Sequence, residues 1–387
     1  MKNVAVIGFG QTKFGELWDK SLRDLASEAG MLALKDSGLE PEKIEALYIG
    51  SMAAGRFVGQ EHISALAADH LGLNPIPATR TEAACASGAT AFRQAVLAVA
   101  SGKHDIVMAS GVEKMTDLKT SEVTTALMGA ADQEWEAGIG LTFPGLYALM
   151  ARAHMAKYGT TLEQISSVSV INHKHGAKNK KAQYPYEITL EQAMNSQLVA
   201  DPLRLMDCSP ITDGAASVIV ASEEIAKKLD PVWVLSVQQA SDTIALHDRK
   251  SLTELAAAKI AAKKAYEEAG ITANKMDVTE VHDCFSINEI LSVEALAYCP
   301  EGRGGKFVQD GKVAVGGERP VNTTGGLKAG GHPVGATGIR QIGDIYLQLK
   351  GKSCNQVKGA SAGLALNVGG SGATANLAIL GRELRRK

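Results

Sequence analysis

The chain has 387 residues, 45% hydrophobic and 21% charged, with a formal net charge of -2, a globular composition that is neither disordered nor collagenous. Lysine plus arginine at 40 against aspartate plus glutamate at 42 leaves no basic footprint for nucleic acid or an anionic membrane, and no apolar run approaches the roughly 18 residues of a spanning helix. Five scattered cysteines with no CxxC pair argue against a disulfide scaffold and structural zinc, and point to a reducing, cytoplasmic setting.

In chain order, Val4, Val6 and Ile7 predict a buried strand, in a start too short in apolar residues for a signal-peptide core. Leu22, Leu25, Ala26 and Ala29 recur at helical spacing and predict a helix from about Ser21 that Gly38 stops. Leu47-Tyr48-Ile49 predicts a second strand, and strand and helix keep alternating, the pattern of an α/β fold. Gly8-Phe9-Gly10 opens like a dinucleotide fingerprint, but Lys13 stands where its third glycine belongs. EAACASG at 82–88 sets Cys85 between a strand-like stretch and a helix marked by Phe92, Val96 and Val99. Free N–H groups and the dipole of a helix start favour a thiolate, and the small neighbours leave room for a substrate.

From 115 to 205 the rhythm breaks, which predicts an insertion of loops and short helices. His173-Lys174-His175 lies there in the basic run Lys174 to Lys181 and reads as a solvated face. SLTELA at 251–256 then repeats SLRDLA at 21–26, each leading through an Ala-rich helix and a glycine, Gly270 or Gly38, to a strand. TDGAASVIVAS at 212–222 pairs in the same way with GGSGATANLAIL at 369–380. The chain therefore reads as two copies, 1–229 with the insertion at 115–205, and 230–387.

HDCFSINE at 282–289 follows the second copy's strand, Val278 to Val281, and strand ends are where open α/β sheets place ligands. His282 and Cys284 share a face if the strand continues, as an acid/base pair or, more weakly, as metal ligands. GGHPVGATG at 330–338 places His332 in a small-residue loop before a helix from Ile339, and imidazole is suited to take a proton at neutral pH. NVGGSG at 367–372 follows a strand with glycines whose N–H groups can bind an oxyanion.

With Cys85, CSPITDGAA at 208–216, His282, Cys284 and His332 in this order, the chain resembles the thiolases over essentially its whole length, the sterol-carrier-protein-type and archaeal acetoacetyl-CoA thiolases most. The resemblance implies an α/β fold of two similar βαβ-rich halves in a five-layer αβαβα sandwich with an inserted loop domain. It implies that Cys85 is the nucleophile that becomes acylated and that His332 activates it. His282 replaces an asparagine of the bacterial biosynthetic relatives and would polarise the thioester oxygen together with His332. Those relatives carry a second catalytic cysteine in a CxGGG loop, which here reads Asn367-Val368-Gly369-Gly370, so Cys284 is the implied acid/base thiol. The N–H groups of Cys85 and Gly369 match a second oxyanion hole, and Ser209 matches a contact to the pantetheine of CoA.

The implied activity is reversible Claisen condensation of two acetyl-CoA to acetoacetyl-CoA and CoA. The alternatives are a degradative 3-ketoacyl-CoA thiolase of broader chain length, or a thiolase-like subunit active only with a partner. No cofactor or metal is expected, since the CoA thioesters are substrates. A homodimer or homotetramer is expected, with HMG-CoA synthase and a small zinc-ribbon/OB-fold acyl-CoA-binding protein as candidate partners. Nucleic acid, membrane, a fused lipid-transfer domain and a targeting signal at 384–387 are not expected.

Overall fold

The computed structural model describes residues 2–384; residue 1 and residues 385–387, the greater part of the stretch in which no targeting signal is expected, lie outside the described residues. The main sheet is built from β1 (Val4–Gln11), β2 (Ala46–Gly50), β3 (Ala78–Thr81), β4 (Ile106–Glu113), β5 (Gly214–Ser222), β6 (Val232–Ser241), β7 (Val278–Glu280), β8 (Ala362–Gly369) and β9 (Thr374–Gly381). The helices that matter most for the site are α1 (Leu22–Ser37), α2 (Ser87–Ala100), α3 (Phe143–Tyr158), α4 (Leu162–Gly176), α5 (Ala256–Ala269), α6 (Ser286–Ala295) and α7 (Thr337–Leu349).

Nine strands run in the order β3-β2-β4-β5-β1-β6-β9-β8-β7. On one side β2 is parallel to β3 and β4, and β5 runs antiparallel between β4 and β1. On the other side β7 is parallel to β8, and β9 runs antiparallel between β8 and β6. The two halves are thus mirrored in order and meet where Ala5 faces Trp233 and Val6 faces Val232.

The period-2 alternation of strand side chains sorts the apolar residues into layers. Ala5, Ile7, Met108 and Ile219 face Leu25, Ala29 and Ala33 of α1. Val6, Val107 and Val218 point the other way, onto Phe92 and Val96 of α2 and Ile339 and Ile342 of α7, and Ala365 and Leu380 of the other half reach the same cluster. Leu364, Leu366, Leu377 and Ile379 then face Ala258, Ala262 and Ala265 of α5. The sequence of layers is α1, half-sheet, α2 with α7, half-sheet, α5. Truncating a fully buried side chain such as Leu25 to alanine costs about 2–5 kcal/mol.

Local chemistry sets the helix ends. Ser21 caps α1 by accepting from Asp24 N at 3.2 Å while Asp24 Oδ2 accepts from Ser21 N at 2.9 Å, and Gly38 ends the helix at φ 70°. The corresponding match at 251–256 enters its helix later: α5 begins only at Ala256, the last residue of the match, after Leu255, whose side chain offers no cap. Within 115–205, α3 and α4 bury Tyr147, Met150, Ile165 and Val168 in the same cluster as Val281, Ile287 and Ile290, so this region packs against the second half of the chain. His173 and His175 are not on a solvated face. Both are buried in α4; His173 Nδ1 lies 3.0 Å from Tyr186 O, His175 Nδ1 lies 3.1 Å from Asn322 O, and His175 Nε2 accepts from Val315 N at 3.1 Å. Among the described residues no helix is long and apolar enough to cross a membrane.

Candidate active site

Cys85 sits between β3 and the first turn of α2, directly after Ala84, a non-glycine residue at φ 52°. That backbone conformation is costly and needs support. Ser87 Oγ supplies it by donating to Ala84 O at 2.6 Å while accepting from Ala83 N at 2.9 Å. The starts of α2 and α7 then meet with no room for side chains between them. A Cβ on Gly338 would lie 2.3 Å from Ala89 N, and one on Gly335 would lie 2.5 Å from Val112 O, so only glycine fits there.

β7 ends at Glu280, so His282 and Cys284 lie in the loop before α6 and strand alternation does not decide their directions. The loop is fixed by buried polar bonds instead. Asn288 Nδ2 donates to His282 O at 2.5 Å, Asn322 Nδ2 and Asn172 Nδ2 hold the Glu289 carboxyl, and Asp283 accepts from Leu327 N at 2.7 Å and Asn172 Nδ2 at 2.9 Å. Through Leu327 this ties HDCF to the segment leading into GGHP. Lys328 Nζ donates to the carbonyls of Asp207 and Cys284, and Ser209 N donates to Cys284 O at 2.8 Å. Ser209 is therefore placed as a brace of the Cys284 loop.

Cys85 Sγ and one ring nitrogen each of His282 and His332 all lie within 4.8 Å of one another. The two rings meet at 81° with centroids 4.9 Å apart. Their outer nitrogens are held differently. Thr337 Oγ1 donates to Pro333 O at 3.0 Å, so toward His332 Nδ1, 2.7 Å away, it acts as acceptor; Nδ1 carries the proton and Nε2 is a free base. Asn367 Nδ2 donates to His282 Nδ1 at 2.9 Å, so the His282 proton sits on Nε2. That N–H is buried without a partner. One imidazole offers a lone pair and the other an N–H donor to the same small volume.

Burial pushes the Cys85 thiol well up, with the neighbouring Cys284 adding to it, and the N–H groups of Gly370 and of Cys85 itself only partly oppose this. The thiolate expected from a helix start is thus overridden by desolvation. His332 is held well below the usual histidine range by burial, then by His282, Arg340 and Lys328, and burial brings His282 down to about 3. These shifts favour the neutral forms of the thiol and both imidazoles. Burial also lifts Cys284 to about 12, against the hydroxyl of Tyr147 and the charge of Lys328, which favour its thiolate.

Tyr147 was not legible as a site residue. It is fully buried on α3, stacks on Phe285 at 4.6 Å, donates from its hydroxyl to Gly370 O at 3.0 Å and touches Cys284. Gly369 backs onto Ala83 O, and the N–H that reaches Cys85 Sγ is that of Gly370.

The family model described as "Thiolase, N-terminal domain" matches residues 4–224, and "Thiolase C-terminal domain-like" matches residues 238–382. The acetyl-CoA acetyltransferase of Methanothermobacter thermautotrophicus is 54% identical over 385 residues, covering 99% of this chain and 100% of its own. That of Methanocaldococcus jannaschii is 53% identical, covering 98% of this chain and 99% of its own. Among solved structures, the "Ltp2-ChsH2(DUF35) aldolase" superposes with a TM-score of 0.87 at 26% identity, over 100% of this chain and 99% of that one.

Proposed function

The chain is a member of the thiolase family, and from that premise we propose that it catalyses the reversible condensation of two acetyl-CoA to acetoacetyl-CoA and CoA. The observation that carries this reading is the thiol flanked by two histidines in opposite tautomers.

Cys85 attacks the thioester carbonyl as its proton passes to His332 Nε2, and the oxyanion is received by the N–H groups of Cys85 and of Gly370, the neighbour of Gly369 whose N–H reaches Cys85 Sγ. Each such donor is worth about 2.7–4 kcal/mol of barrier. The departing CoA thiolate takes the Cys284 proton, which leaves Cys284 as the base for the second acetyl-CoA. The carbonyl oxygen of that acetyl-CoA meets two donors, His282 Nε2–H and the N–H that His332 has just acquired. They stabilise the enolate while Cys284 removes the α-proton. The carbanion displaces Cys85 from the acyl group, and His332 returns the proton to sulfur. Every proton taken is given back, so the cycle needs no cofactor. We assign Ser209 to the pantetheine side of the site, and read the chain as the copies 1–229 and 230–387 of a cytoplasmic homodimer or homotetramer.

A second reading, activity only in complex with a small zinc-ribbon/OB-fold protein or HMG-CoA synthase, is favoured by one observation: the similar Ltp2-ChsH2(DUF35) aldolase is named as an assembly of two components. Purified protein is to be assayed with acetoacetyl-CoA plus CoA, then with longer 3-ketoacyl-CoAs, alone and with candidate partners. Acetyl-CoA formed best from acetoacetyl-CoA supports the condensing reading, and faster turnover of longer chains moves it to the degradative one. Activity only with a partner supports the second reading. Failure to form acetyl-CoA under all conditions overturns both.

A further inference from the structure

We propose that the free enzyme binds one soft divalent cation, Zn2+ being the representative case, on Cys85, His282 and His332, and is inactive while it holds it. The donors are one sulfur and two imidazole nitrogens from three separate segments, converging within 4.8 Å. That donor set suits Zn2+ and its neighbours rather than Mg2+ or Ca2+. Metal-binding histidines are characteristically oriented by a bond to the outer nitrogen, and both rings have one, from Thr337 and from Asn367. Tetrahedral zinc with N and S ligands needs pair spacings of about 3.3–3.7 Å, so the three side chains close in by about 1 Å.

His332 Nε2 already presents a lone pair. His282 Nε2 carries a proton in the resting state, and Asn367 supplies the means to move it. Asn367 Oδ1 is buried and unpartnered. Turning the amide brings Oδ1 onto His282 Nδ1, so the proton resides there and the Nε2 lone pair faces the metal. Cys85 binds as thiolate and its proton goes to solvent. One sulfur–metal and two nitrogen–metal bonds form, one proton is released, nothing is oxidised or reduced, and water fills the fourth position. The nearby cations are already engaged, Arg340 with Asp344 at 2.6 Å and Lys328 with two carbonyls. Acylation of Cys85 and metal binding exclude one another, so the metal is an inhibitor and not a cofactor.

The test uses full-length, metal-free protein without substrate and therefore does not depend on the proposed reaction. Co2+ is titrated in while the absorption spectrum and proton release are followed. The expected result is one Co2+ per chain with a thiolate-to-cobalt charge-transfer band, the strong visible bands of a four-coordinate site and one proton released per metal. The band and the stoichiometric site are lost in Cys85→Ser, affinity falls at least tenfold in His282→Ala, and Cys354→Ser, at an exposed thiol, changes nothing. As a measurement on unmodified protein, Zn2+ is expected to slow iodoacetamide alkylation of Cys85 at least tenfold, with a chelator restoring the rate. The proposal is overturned by weak octahedral spectra without a thiolate band, by equal stoichiometry in a folded Cys85→Ser variant, or by Cys85 alkylation indifferent to Zn2+.

Discussion

His282 and His332 meet edge to face with centroids 4.9 Å apart, and they hold their protons on opposite nitrogens. Thr337 makes one of them a base, and Asn367 makes the other a donor. This pairing lets one site first remove a proton from sulfur and then stabilise charge on oxygen.

Thr337→Val keeps the shape and removes the acceptor that fixes the His332 proton on Nδ1. The acylation rate in a rapid-quench experiment should fall about a hundredfold, the lower range for a positioned general base, with KM little changed. Thr337→Ser should recover most of it. Acylation unchanged in the valine variant would show that the tautomer is set elsewhere.

Asn367→Leu removes the bond to His282 Nδ1 at near-constant volume. Condensation should slow about a hundredfold, in keeping with the loss of one oxyanion donor, while the acylation burst stays intact. A merely structural role would lower both steps together, so the ratio of burst rate to turnover is the quantity to measure.

The pH dependence follows from the directions of the shifts. Cys85 is pushed up and His332 pushed down, so the neutral pair, not an ion pair, is populated near neutrality. Iodoacetamide alkylation of Cys85 should therefore rise about tenfold per pH unit from about 7 to 9, with no plateau on the acid side. A plateau beginning below about pH 6 would mean a preformed thiolate–imidazolium pair and would contradict the assignment.

Tyr147→Phe retains the stack on Phe285 and deletes the hydroxyl, which favours the Cys284 thiolate once its proton turns from Gly370 O to the sulfur. A hydrogen bond to a charged group is worth about 1.5–3 kcal/mol, so condensation should drop roughly 10- to 100-fold. The pH profile of Cys284 alkylation should move to higher pH. An unshifted profile would leave Tyr147 with only its bond to Gly370 O.

Cys85, His282, Cys284 and His332 were legible because each is a reactive side chain in a short segment of small or distinctive neighbours at the end of a strand or the start of a helix. Tyr147 was not, since among Leu146, Met150 and Ala151 it reads as a core aromatic, and only the tertiary fold brings Gly370 and Cys284 to its hydroxyl. The upward push on the Cys85 thiol was not legible, because a helix start is visible in sequence while the desolvation around the sulfur is not. His173 and His175 were hidden by the lysines around them, although Ile165, Val168, Ser169, Asn172 and His173 continue one buried stripe of α4 at helical spacing. β1 and β2 were readable as strands, but the junction of β1 with β6 that joins the halves depends on contacts far apart in the chain.

The division of labour between the two thiols is the centre of the account, and intact-protein mass spectrometry after mixing with acetyl-CoA tests it most directly. In Cys284→Ala the account predicts a single acetyl group on Cys85 that persists, with no acetoacetyl-CoA released, and in Cys85→Ala no acetylation at all. Acetylation lost in Cys284→Ala as completely as in Cys85→Ala, or acetoacetyl-CoA still formed without Cys284, would contradict it.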